Sequence, residues 1–83
     1  MKLGQFLDKV DVMTDARVDI WVKCREYSMV GGVPQWVWKE YHTVHEKPMY
    51  HDEVDEYRDN TLVSCYIAVG ADELPYLECM VKE

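Results

Sequence analysis

A chain of 83 residues, 48% of them hydrophobic and with a net charge of −7 at neutral pH, suffices for one domain and carries too much apolar bulk for intrinsic disorder. Its acidity disfavours direct binding of DNA or RNA through phosphate neutralisation, and suits a basic protein partner instead. The longest apolar-leaning run, residues 62–69 interrupted by Ser64, is far below the roughly 20 residues that cross a membrane.

Leu3, Phe6, Leu7 and Val10 recur at helical spacing, with Lys2, Gln5, Asp8, Lys9 and Asp11 between them. The pattern predicts a short amphipathic helix over residues 2–11, and Thr14 and Asp15 then read as a turn. Residues 17–24 alternate, with Val18, Ile20, Val22 and Cys24 on one face and Arg17, Asp19, Trp21 and Lys23 on the other. That is a half-buried strand. Gly31-Gly32, followed by Pro34, is the strongest turn signal. The strand is expected to run on toward Met29 and to form a hairpin with a second strand over residues 35–44, rich in Trp, Val, Tyr and Thr. Periodicity does not decide which face of that second strand is buried.

Pro48, and then Tyr50, Val54 and Tyr57 at i, i+4 and i+7, predict a second helix over residues 48–58. Asp52 and Glu53 near its start suit the helix dipole. Residues 61–69 alternate again, with Val63, Cys65, Ile67 and Val69 on one face. Residues 70–75 form a turn, and residues 76–82 a last strand with Leu77, Cys79 and Val81 inward. The expectation is one α+β domain over residues 1–83, a two-layer sandwich in the order αββαββ. Two short helices cover one face of a mainly antiparallel four-stranded sheet. The predicted core is Leu3, Phe6, Leu7, Val10, Val18, Ile20, Val22, Val63, Cys65, Ile67, Leu77, Cys79 and Val81, joined by Val54 and Tyr57.

Cys24, Cys65 and Cys79 lack CxxC spacing and fall on apolar strand faces, so they read as reduced core residues of a cytoplasmic protein. His42, His45 and His51 match no zinc spacing, and His42 and His45 would face opposite ways on a regular strand. No metal site and no cofactor is assigned. No phosphate loop or nucleophile motif occurs, so no catalytic residue is assigned and no enzyme is expected.

Two surfaces remain as partner-binding candidates. One is the acidic run Asp52, Glu53, Asp55, Glu56 and Asp59, which reads as a solvated helix face or as a docking surface for a basic protein. The other is the outer sheet face, where Trp21, Leu62, Tyr66, Tyr76 and Met80 gather with Trp36 and Trp38, or else with Val37 and Tyr41. A contiguous aromatic patch marks an interface, unless the segment from Tyr27 to Pro34 folds over and covers it.

The opening Met1-Lys2-Leu3-Gly4-Gln5-Phe6-Leu7-Asp8, followed by Asp15-Ala16-Arg17-Val18-Asp19-Ile20-Trp21-Val22, resembles the helix-then-strand start of small acidic accessory proteins of phages and mobile elements. Anti-CRISPR proteins are among them. The resemblance implies a non-enzymatic inhibitor or accessory factor that contacts a basic nucleic-acid-binding protein or nuclease complex. The alternatives are a self-assembling subunit, such as a homodimer joined through the aromatic face, and a small metal-dependent or thiol enzyme.

Overall fold

A computed structural model describes residues 1–10 and 17–83. Its elements are α1 (Leu3–Lys9), β1 (Arg17–Val30), β2 (Val33–Pro48), α2 (Asp52–Asp55), β3 (Thr61–Val69) and β4 (Pro75–Lys82). The turn expected at Thr14 and Asp15 lies outside the described residues. The fold is a small α+β arrangement of two short helices on a four-stranded sheet ordered β2-β1-β4-β3.

The sheet is mixed rather than mainly antiparallel. β1–β2 and β3–β4 are antiparallel hairpins, but β1 and β4 run parallel from Val18↔Leu77 to Lys23↔Lys82. The cause is the connection over residues 49–60. It leaves β2 at Pro48, carries α2, and starts β3 at Thr61, level with Lys82. A connection of about a dozen residues is what a parallel pairing requires. The sequence pattern predicts a helix over residues 48–58 but not that this connection crosses from one edge of the sheet to the other.

β1 and β2 are joined by Gly31-Gly32, with φ of 59° and 81°. Two consecutive positive φ values are the requirement of the two-residue hairpin turn whose twist matches the strands. The second strand extends to Pro48, so Pro48 closes a strand instead of opening a helix. The second helix shrinks to Asp52–Asp55, with the His51 imidazole as its cap: Nδ1 accepts the Glu53 N–H at 3.1 Å.

Transverse rows of the sheet define the core. Val44, Ile20, Cys79 and Cys65 form one row, and Val22, Val81 and Leu62 lie in the next. Leu3 and Leu7 of α1 and Val54 of α2 close over them, with Met49 filling the space before α2. α1 lies close because residue 4 is glycine. A Cβ there would stand 3.1 Å from Arg58 Cβ and 3.2 Å from its carbonyl, to which the Gly4 N–H donates. Arg58 continues the clamp, donating to Asp55 at 2.9 Å, to the Met49 carbonyl at 3.2 Å and to Asp8 at 3.3 Å.

Two expected core residues lie outside it. Val63 is the extra residue of a bulge, since Leu62↔Val81 is followed by Ser64↔Met80, and it is exposed. Ile67 is 72% exposed because helices of seven and four residues do not reach the far end of β3. Conversely, Val44 and Met49 are buried although the sequence pattern singled out neither.

The β3–β4 turn is tied to β1 by Asp72. Its carboxylate accepts the Leu74 N–H at 3.1 Å and pairs with Arg17 at 3.1 Å. These contacts, the Leu74 amide foremost, hold Asp72 below its ordinary pKa of 3.8. A carboxyl more acidic in the folded chain stabilises it at neutral pH, and that contribution disappears as pH falls through the folded-state pKa. Thermal melts should therefore show wild type above Asp72→Asn at neutral pH and the two converging in acid. A gap that persists unchanged in acid would show that the charge is not the cause.

Candidate functional site

The β1–β4 ladder ends at Lys23↔Lys82, whereas β1–β2 pairing continues to Val30↔Val33. From Cys24 to Lys39 the chain is therefore a two-stranded ribbon extending beyond the four-stranded sheet. At about 3.3 Å per residue, β2 is roughly 50 Å long, matching the molecule's long dimension of 49 Å. The segment from Tyr27 to Pro34 thus does not fold back over the outer sheet face; it forms the tip of a projecting arm.

Strand alternation puts Lys23, Arg25, Tyr27 and Met29 of β1 on the same side as Trp36 and Trp38 of β2, through the pairs Arg25↔Trp38 and Tyr27↔Trp36. The residues interlock. Lys23 Nζ lies 5.2 Å and Lys82 Nζ 5.9 Å from the Trp38 ring centre, Arg25 lies 5.5 Å from that of Trp36, and Tyr27 meets Trp36 edge-on at 5.3 Å. Both tryptophans remain more than half exposed, as do Tyr27 and Met29. Where β4 ends, Lys23, Arg25, Trp38, Lys82 and Glu83 line an open notch of about 420 Å³. On the opposite side of the arm, Tyr41 donates to Glu26, which pushes its phenol pKa up.

Trp21 and Tyr66 sit apart from the arm. They line a shallow depression of about 170 Å³ with Ser64, Glu78 and Met80. Tyr66 is exposed, but Trp21 is half-buried, and its indole Nε1 finds no hydrogen-bond acceptor among the described residues. The four aromatic candidates therefore divide into two pairs. The acidic run lies at the other end of the molecule, past the Pro48 end of β2. Asp52, Glu53, Asp55, Glu56 and Asp59 are all exposed. Asp55 is engaged by Arg58, and Asp59 lies 3.9 Å from Lys2.

The histidine expectation changes in geometry. Ile20 pairs with Val44 but Trp21 pairs with His42, so Thr43 is an extra residue and β2 bulges there. The bulge brings His42 and His45 to one side, with ring centres 3.7 Å apart, beside the buried carboxylate of Asp19. His51, the third histidine of the run, is occupied as the α2 cap. Asp19 was passed over in the sequence because an acidic residue on the polar side of an alternating strand signals only solvent.

The cysteines are free, with Cys24 and Cys79 buried. Cys65 and Cys79 face each other across β3–β4 with sulfurs 3.1 Å apart. Their hydrogen bond, and then burial, push the Cys79 thiol pKa up. Alkylation of the native protein, read by peptide mass mapping, should therefore modify Cys65 well before Cys79. Equal rates would contradict this arrangement.

Comparison with protein-family models, with curated proteins and with solved structures finds no match to this chain.

Proposed function

We propose that this chain is a non-enzymatic protein-binding module that docks through the aromatic side of its projecting hairpin. The observation that carries this reading is the bare two-stranded arm, which among the described residues has neither helices nor further strands against it and displays Tyr27, Met29, Trp36 and Trp38 to solvent on one side. An isolated hairpin is marginally stable in water, and a contiguous apolar patch of this kind marks an interaction surface. Trp and Tyr held by neighbouring cations are preorganised anchors of the type that dominates binding energy.

Face docking is favoured over edge pairing. The free edge of β2 carries Pro34, Lys39, Lys47 and Pro48, and it is bent by its bulges. These features oppose strand addition by a second chain. Charge suggests the partner's character. Within the arm, Arg25 and Lys39 outweigh Glu26, so the acidic excess resides in the rest of the molecule, with its densest run beside α2. In this reading the partner offers an apolar cleft to the tryptophans and carries a basic surface, as a nucleic-acid-handling protein does. The acidic end then speeds encounter more than it holds the complex. An inhibitor or accessory factor of the phage or mobile-element kind fits that division.

The test compares two variants on the protein that wild type captures from a lysate of its source. Trp36→Ala/Trp38→Ala should weaken its binding by about 30-fold or more, equivalent to about 2 kcal/mol. Reversal of Asp52, Glu53, Asp55 and Glu56 to Lys should mainly slow association and flatten its salt dependence. Undiminished affinity of the tryptophan variant would refute the reading. A wild-type dimer in light scattering that becomes monomeric in that variant would replace it with self-assembly.

A further inference from the structure

We infer that Asp19, His42 and His45 form a binding site for a divalent transition-metal ion, with zinc the best match to the donor set. The inference rests on side-chain geometry and is independent of the role proposed for the arm.

Two adjacent strands build the site. Asp19 lies on β1 beside Trp21, and His42 and His45 lie on β2. Residues three apart on a regular strand face opposite ways. Two irregularities in β2 change this: the extra residue at Thr43, and a second register shift between Val18 and Ile20 that falls at residues 45–46 of the partner strand. Glu46 takes φ of 45°, a conformation rare outside glycine and unfavourable unless its surroundings enforce it. In that conformation the Glu46 N–H donates to Asp19 Oδ1 at 3.0 Å. One carboxylate oxygen is thereby fixed by backbone, and the other is left facing the imidazoles.

Asp19 is only 4% exposed, and a buried carboxylate demands a cationic or hydrogen-bonding partner. Its Oδ2 lies 2.5 Å from His42 Nε2. Even so, His42 Nε2 is a buried nitrogen with no aligned hydrogen bond among the described residues. The two atoms lie side by side, and each can offer a lone pair to a cation. Trp21 stacks flush on His42, with ring centres 4.4 Å apart and planes within 3°, and so holds the imidazole plane. His45 is exposed and completes the group, one donor atom from each of the three residues lying within 4.8 Å of the others.

Two imidazoles and one carboxylate suit zinc, and also cobalt or nickel; calcium and magnesium take all-oxygen sets. Ligand bonds of about 2.0–2.2 Å set tetrahedral donor atoms roughly 3.3–3.5 Å apart, so on binding Asp19 Oδ2 and His42 Nε2 part slightly and His45 adjusts to complete the set. The His45 side chain, solvent-exposed although its ring packs on that of His42, supplies that movement. Three protein ligands leave a fourth position for water. An ion held there would tie β1 to β2 near the root of the arm.

The test is calorimetric titration of zinc chloride into the untagged, metal-free full chain. One ion per chain should bind in the micromolar range or tighter. His45→Ala, a change at an exposed side chain, should weaken binding at least about tenfold, and His51→Ala should leave it unchanged. Cobalt should give the visible absorption of a tetrahedral site in wild type, lost in His45→Ala. Asp19→Asn should also abolish binding; if it unfolds by circular dichroism, the His45 and His51 variants decide. Absence of heat, equal loss in His51→Ala, or full binding by His45→Ala would overturn the inference.

Discussion

The rest of the structure depends on a mismatch of lengths. β1 and β2 have 14 and 16 residues, β3 and β4 nine and eight, and the helices seven and four. A sheet face is dry only where another layer covers it. Here the layer is small, so complete burial is confined to the rows around Ile20, Val44, Cys79 and Val81. Everything beyond Lys23 on β1 is left to a hairpin that must hold itself together. It does so with a glycine turn, a Tyr41–Glu26 hydrogen bond and a ladder of cations against tryptophans. The same mismatch exposes Ile67 at the other end of the sheet.

Bulges are the second organising device. In β3 an extra residue turns Val63 outward while keeping Leu62 and Cys65 on the core side. In β2 the extra residue at Thr43 keeps Val44 in the core and brings His42 and His45 to one side. Each bulge reconciles an irregular pattern with a continuous ladder, and each re-aims a side chain that period-two reasoning assigns to the wrong face.

This explains what was legible in the sequence. The strands at Val18–Val22 and Leu77–Val81 alternate without interruption and were readable, as were the Gly31-Gly32 turn and α1. The face of β2 was not, because its mixed alternation is the trace of its bulges. The parallel β1–β4 pairing was not, because nothing local to residues 49–60 says that they cross from one edge of the sheet to the other. Trp36 and Trp38 were candidate interface anchors on an undecided face, and their separation from Trp21 and Tyr66 required knowing where β4 ends. The Asp19–His42–His45 grouping depends on register alone, so no local spacing announced it.

The central claim is that the distal hairpin is an uncovered docking element on a small covered core. Amide hydrogen exchange on the purified protein tests this most directly, because protection follows burial and cooperative packing. The account predicts fast exchange from Arg25 to Trp38 and slow exchange at Val18–Val22 and Leu77–Val81. Equal protection in the arm and the core would show that the arm is already covered and would contradict the account.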